Sequence, residues 1–255
     1  MKIQTLVVTT NQTDYSLPKK MKIQTDALIG NQCGRNEVHE FENNGHRIQY
    51  VSTDTRGVGT NRNEVLLRAW GDICVLADDD MTFLDGYENL VREWFEKLPD
   101  ADMLIFNLEG GKKRYKHKKI TRIHFWNYGK FGAARLAFRR KALQFSGIMF
   151  HTMFGGGCPY SCGEDTLFLR DCLHKGLRIY GVPVSLAQIQ DGDSTWFHGY
   201  TDKYFLDKGV LYYVLNRRLC RLHAWIHCMR YRRKYHEYGW RNAVKQMLKG
   251  IELVK

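Results

Sequence analysis

A chain of 255 residues, 44% of them hydrophobic and 26% charged, has the composition of an ordinary soluble protein and the length to bury a full core. That length favours one large domain or one domain with a small appendage, and nowhere do eighteen apolar residues run together, which excludes a membrane-spanning helix. The formal charge of +12 gathers at Lys112 to Lys119, at Arg139-Arg140-Lys141, and most of all from Arg217 to Lys249, where Glu237 is the only acid. Such density calls for an anionic partner, whether nucleotide phosphates, a membrane surface or nucleic acid.

Met1-Lys2-Ile3-Gln4-Thr5 leads straight into a strand-like run without an apolar h-region or small-residue cleavage site, so the expectation is a cytoplasmic protein. In chain order, Ile3 to Thr9, Ala27-Leu28-Ile29, Ile48 to Ser52, Ile73 to Ala77 and Asp102 to Asn107 read as strands. Asn61 to Trp70, apolar at Val65, Leu66, Leu67 and Ala69, reads as a helix, and Tyr87 to Leu98 repeats the pattern with Leu90, Val91, Trp94 and Phe95. This alternation predicts an α/β fold of the nucleotide-binding class, a mainly parallel sheet with crossover helices. Residues 110 to 135 break it with a polar, Gly- and Lys-rich loop, and Phe145 to Tyr160 form a second glycine-rich stretch. The last forty residues read as helical: Leu211, Tyr212, Val214 and Leu215 are followed by Leu222, Trp225, Ile226 and Met229 beside arginines, the pattern of a basic amphipathic helix on a surface. Seven cysteines is an odd count, and Cys33 and Cys74 sit in strand-like stretches, which predicts reduced thiols.

Two acidic clusters carry the candidate chemistry. The run Ile73 to Ala77 ends in Asp78, Asp79 and Asp80, so a buried parallel strand opens into a crevice where ligands of open α/β sheets bind. At an effective dielectric of ~20, two such charges ~4 Å apart repel by ~4 kcal/mol, and a divalent metal is the natural counter-charge. The alternative is a solvated acidic turn capping a helix at Gly86. In the second cluster, Ser161-Cys162-Gly163-Glu164-Asp165, Ser161 and Glu164 fit a capping box, while Asp165 either suits the helix dipole or accepts a proton from a substrate hydroxyl. A structural zinc site from Cys158, Cys162, His151, Cys172 and His174, or from Cys220, His223, His227 and Cys228, lacks the paired spacing that such sites show.

Thr9-Thr10-Asn11, Gly57-Val58-Gly59-Thr60-Asn61-Arg62-Asn63, Ala77-Asp78-Asp79-Asp80-Met81 and Gly163-Glu164-Asp165 occur in the order found in bacterial family 2 glycosyltransferases. The chain resembles that family most strongly between residues 1 and 200, with Ser194-Thr195-Trp196-Phe197-His198 and Tyr204 to Gly209 adding to the likeness. The resemblance implies a GT-A fold over residues 1–208, Rossmann-like with flanking helices, followed by a basic helical C-terminal extension over 209–255. It assigns Asp78 to the ribose or metal with Asp79 beside it on the nucleotide, and Asp80 to the divalent ion, Mn2+ or Mg2+, that bridges the phosphates. Asp165, with Glu164 as second choice, becomes the general base. Thr10, Asn11 and Gln32 line the base pocket, Gln32 standing where the family often has Asp; Arg62 lies near the uracil or diphosphate, and His198 is a third metal contact.

The implied reaction is a single displacement with inversion, from a nucleotide-sugar donor, a UDP-sugar foremost, to a hydroxyl of a glycan or lipid-linked acceptor in surface polysaccharide synthesis. Lys112 to Phe131 and Phe145 to Tyr160 are the acceptor-facing loops. A competing reading is a nucleic-acid-binding protein, from the basic and aromatic run Tyr231 to Arg241. It leaves the acids unexplained unless metals intervene, as in a metal-dependent nucleotidyltransferase or nuclease. The basic tail reads either as a peripheral dock on the anionic inner face of the cell membrane or as a helical bundle packing its Leu and Trp face on the core.

Overall fold

The strand-like runs assemble side by side, and why they do is visible in their burial. The computed structural model describes residues 1–110, 115–189 and 199–255. The chain divides into one unit of Met1–His151 with Asp165–Gly192 and another of Thr152–Glu164 with Asp193–Lys255. The first contains, in order, β1 (Ile3–Thr10), α1 (Leu17–Lys20), β2 (Asp26–Gln32), β3 (Glu37–Asn43), β4 (His46–Thr53), α2 (Val58–Arg68), β5 (Ile73–Asp78), β6 (Met81–Phe83), α3 (Tyr87–Lys97), β7 (Met103–Glu109), β8 (Thr121–Arg122), β9 (Leu136–Arg139), α4 (Arg140–Ser146), all but the first residue of α5 (Glu164–His174), and β10 (Ile179–Ile189). β1 is buried at every position but its last, as a central strand covered on both faces must be.

The described strands form one sheet in the order β3-β4-β2-β1-β5-β9-β7-β10-β6, with β8 on β10. β4, β2, β1 and β5 are mutually parallel, as the α/β alternation predicts. Beyond β5 the sheet is mixed, because β9 returns antiparallel between β5 and β7. Side chains alternate between faces: Ile3 and Val7 pack with Val91 and Phe95 of α3, while Leu6 and Leu76 pack with Val65 of α2 and Phe168 of α5. Helices therefore cover both faces, and the carboxyl ends of β1, β2 and β5 meet at one edge through the pairs Thr10 with Gln32 and Val8 with Asp78.

Strands β3, β6, β8, β9 and β10 and helices α1 and α4 were not visible as such in the sequence. β3 is polar and exposed, paired antiparallel with β4 across Asn44-Gly45, both at positive φ, a two-residue turn. β6 and β9 are three and four residues long, and β10 carries Pro183 and a register irregularity. α4 precedes what reads as a glycine-rich loop and takes in only its first two residues, Phe145 and Ser146.

The second unit is helical, as the tail pattern predicts: α6 (Asp202–Leu215), α7 (Cys220–Arg230) and α8 (Trp240–Leu253) enclose a core of Phe205, Ala224, Cys228, Tyr235, Ala243 and Met247. α6 and α8 cross with backbones nearly touching, since a Cβ on Gly209 would fall 2.0 Å from Met247 O and one on Gly250 2.0 Å from Leu206 O. His227 Nδ1 lies 2.9 Å from Tyr212 OH and its Nε2 2.8 Å from Tyr235 OH, so both ring nitrogens serve the core rather than a zinc ion. No disulfide joins any of the seven cysteines.

The Leu and Trp face of α7 does not pack on this core. The buried stripe is Cys220, Ala224 and Cys228, spaced four apart, while Leu222, Trp225 and Ile226 are about half exposed. Tyr235, in the run where aromatics interleave with bases, is buried, and Tyr238 stacks on Phe205. Among the described residues no helix is long and apolar enough to cross a membrane.

Candidate active site

The first turns of α2 anchor the site. Asn61 donates from Nδ2 to Thr9 O at 3.1 Å and Gly30 O at 3.0 Å, tying the helix to the ends of β1 and β2. The close approach demands glycine at position 30, where a Cβ would lie 2.1 Å from Asn61 Oδ1. The next residue, Arg62, is 4% exposed and lies under the ring of Phe150, 5.2 Å away. Phe150 is held to α2 by paired hydrogen bonds with the Asn63 amide, 2.9 and 2.7 Å, and stacks on Phe168 of α5.

From this position the Arg62 guanidinium forks between two acids. Nη2 donates to Asp78 Oδ1 at 3.0 Å and Nη1 to Asp165 Oδ1 at 2.8 Å. Asp78 ends β5 and Asp165 stands in the first turn of α5, so one buried cation joins the two clusters that the sequence marks as acidic. Opposite charges held this closely, with little water between, interact strongly. The second oxygen of Asp165 lies against Gly132, 3.2 Å from where a Cβ would stand.

The neighbouring acids are held differently. Thr9, buried at the end of β1, donates its hydroxyl to Asp79 Oδ2 and accepts from Gln12 Nε2 at 2.9 Å. Although much of the Asp79 side chain is open, protein packed about its carboxyl raises its pKa; Asp78 adds to the rise and the Thr9 hydroxyl opposes it. Asp80 is exposed in the turn leading to β6.

Thr10 and Asn11 stand exposed at the end of β1, Asn11 at positive φ with its N–H bonded to Gln32 O at 3.0 Å. The Gln32 amide donates to Thr55 Oγ1 at 3.1 Å and Gly57 O at 3.2 Å, bracing the entry to α2. Glu164 is the first residue of α5. The capping box expected of Ser161 and Glu164 is not how Ser161 is used: its N–H and hydroxyl both donate to the buried Asp207, at 2.9 and 2.8 Å. Lys112 to Arg114 and the stretch containing His198 lie outside the described residues.

Sequence reasoning named Arg62, Asp78 and Asp165 without pairing them, and it missed Thr9, Gln12 and Asn31. Asn31 clamps the loop after β1, accepting from Gln12 N and donating to Gln12 O, each at 3.0 Å. An Asn at a strand end beside a turn was the available signal.

Among the described residues no three His, Cys, Asp or Glu side chains converge as a ready-made metal site. Asp78 and Asp80 are nevertheless hard oxygen donors at an open sheet edge, with the Asp78 side chain 40% exposed. Mg2+-like ions commonly take one or two carboxylates and complete their shell with phosphate oxygens and water, and this donor set fits that habit.

Residues 35–155 match the model of glycosyl transferase family 2, a span that includes Arg62 and Asp78 to Asp80 and stops short of Asp165. No curated protein matches the chain. Among solved structures, TarS 1–349 of S. aureus in complex with UDP-GlcNAc has a TM-score of 0.61 at 15% identity, covering 85% of this chain and 67% of that one. A longer TarS chain is covered to 40% at a TM-score of 0.60 and 14% identity over 85% of this chain. The mannosyltransferase PcManGT from Pyrobaculum calidifontis, in complex with GDP-Man and Mn2+, has a TM-score of 0.52 at 13% identity, covering 98% of this chain and 74% of that one. Such identities speak for the fold. The glycosyl transferase family 2 match thus spans residues 35–155, just under half of the chain, and the structural likeness is to the GT-A fold.

Proposed function

We propose that the chain is an inverting glycosyltransferase that moves a sugar from a nucleoside diphosphate, UDP foremost, to a hydroxyl of a glycan or lipid-linked acceptor in surface polysaccharide synthesis. The observation that carries this reading is the fork of Arg62 between Asp78 and Asp165. It fixes a carboxylate at the start of α5 beside the acidic end of β5, where a donor's diphosphate belongs in an open α/β sheet. UDP is favoured because a TarS structure of the same fold holds UDP-GlcNAc.

In the proposed step Asp165, oriented through Oδ1 by Arg62, accepts the proton of the acceptor hydroxyl from about 3 Å. The acceptor oxygen bonds to the anomeric carbon as that carbon's bond to the β-phosphate oxygen breaks, and the electron pair leaves with the nucleoside diphosphate. Asp78 and Asp80 would hold Mn2+ or Mg2+, which supplies positive charge against the departing diphosphate. Thr10 and Asn11 face the nucleotide at the strand ends, and Arg62, buried and fixed, keeps two carboxylates apart and aligned. His198 as a further ligand and Glu164 as substitute base belong to the same proposal.

The test pairs binding with turnover. Unfolding midpoints with UDP, GDP, dTDP and CMP, each with and without Mn2+, should show one nucleotide raising the midpoint by about 5 to 10 °C when metal is present, from ~2.7 kcal/mol at a hundredfold excess over Kd. Asp165→Asn should keep that shift and lose transfer at least about 100-fold. No shift with any nucleotide, or near-normal turnover by Asp165→Asn, would overturn the reading.

A further inference from the structure

α7 presents an apolar arc to solvent that nothing in its own helical unit covers. Leu219, Leu222, Trp225 and Ile226 are 46, 52, 50 and 47% exposed. At 100° per residue they fall within an arc about 120° wide, directly opposite the buried Cys220, Ala224 and Cys228. Arg221 borders the arc on one side and Arg230 on the other. The chain then continues into exposed Arg232, Arg233 and Lys234. Amphipathic helices that lie in a membrane interface combine these features: aliphatic and Trp side chains on one face, with long cationic side chains at its borders that reach the headgroups.

We infer that α7 docks the protein, face down, on an anionic lipid bilayer. Charge selects this occupant over two others. A second copy of the chain meeting the same face would bring Arg221, Arg230 and the Arg232 to Lys234 run against their own kind. Nucleic acid would satisfy the arginines but leave Leu222 and Ile226 in water, and two of the aromatics it would stack on are used elsewhere, Tyr235 buried and Tyr238 against Phe205. An anionic bilayer satisfies both the arc and its borders. The same pairing of apolar and basic residues recurs in a groove of about 780 Å³ lined by Leu206, Val244 and Leu248 with Arg241, Lys245 and Lys249. That groove reaches α7 through Glu252, which accepts a hydrogen bond from Arg221. The helical unit alone carries this inference, so it stands or falls separately from glycosyl transfer.

The experiment is flotation of the full chain with vesicles of phosphatidylcholine containing 30% phosphatidylglycerol, against pure phosphatidylcholine. Binding is expected on the anionic vesicles at low salt, falling at least about tenfold in 0.5 M NaCl, since each basic residue near the surface is worth about fivefold in partition. Leu222→Gln with Trp225→Gln should weaken it at least about tenfold. Both residues are half exposed, so the unfolding midpoint and any nucleotide-induced shift should stay unchanged, which separates lost docking from lost fold. Failure to float with anionic vesicles at low salt, or binding that the double variant retains in full, would overturn the inference. So would a dimer, or a duplex DNA complex, that the double variant abolishes.

Discussion

The two units of this chain use positive charge in opposite ways. In the sheet unit the buried Arg62 is forked between two carboxylates, and the acids outnumber it. In the helical unit arginines and lysines stand exposed around an apolar arc, with Glu237 the only acid between Arg217 and Lys249. A buried cation with fixed partners positions chemistry, whereas an exposed excess of one sign recruits a large counter-charged object. The net charge of the whole chain, +12, merges the two roles.

Removing the fork should have the largest effect. Arg62→Met leaves Asp78 and Asp165 facing one another without their shared cation, and breaking such a buried pair costs about 3 kcal/mol or more. The unfolding midpoint should fall by roughly 10 °C and transfer should vanish. An unchanged midpoint in differential scanning calorimetry would show that the fork is dispensable to the fold.

Each unit also draws one histidine inward, His117 buried and His227 partly buried, and these sharpen the contrast. His117, 3% exposed, stacks on Phe131 beside Arg135, and neither ring nitrogen finds a hydrogen-bond partner among the described residues. Burial first, then Arg135, pushes its pKa down to about 4; burial, then Lys208 and other cations, does the same to His227, also to about 4. A lowered histidine pKa means that the unfolded chain binds protons first. The stability is therefore complete above about pH 6.5 and is lost as the pH falls toward 4, by up to about 3 kcal/mol for His117. Phenylalanine at each site should separate them. His227→Phe orphans Tyr212 and Tyr235 and should cost about 1 to 3 kcal/mol, whereas His117→Phe removes two unpaired nitrogens and should be nearly neutral. Denaturant melts of both variants at pH 7.5 and 5 would measure this, and equal losses would erase the distinction.

The smallest effect belongs to Thr9→Val. Its hydroxyl lowers the Asp79 pKa against burial and Asp78, so without it that pKa rises further. Nucleotide binding should then fail at a higher pH on the acid side than in the unaltered protein, read by titration from pH 7 to pH 4. An unmoved acid limb would take Asp79 out of the nucleotide site.

Much of the sheet was legible because β1, β2, β5 and β7 are largely apolar runs buried on both faces, which leave a continuous signal, and because β4 keeps Ile48, Tyr50 and Val51 buried. β3 hid because an edge strand exposed to water carries polar residues, although Asn44-Gly45 marked its turn. β9 and β10 hid for other reasons, the one being very short and the other interrupted by Pro183. At the site, single residues were readable and their partnership was not. Arg62 and Asp165 lie 103 positions apart, and no local spacing encodes a contact that only the packing of α2, Phe150 and α5 creates. The α7 face was readable as amphipathic, but which side met the core depended on small residues, Cys220, Ala224 and Cys228, that carry little periodic signal.

The β3–β4 hairpin leaves β3 as an open border of the sheet, a row of backbone groups on which a second chain could grow a strand. Its sequence guards that border. Glu37, Glu40 and Glu42 place carboxylates along the strand, and Arg47 grips Glu40 through two hydrogen bonds of 2.8 and 2.7 Å, fastening the edge to its own partner. Two copies aligned border to border would oppose acid to acid. In a protein so rich in positive charge, this local reversal of sign is a built-in brake on aggregation.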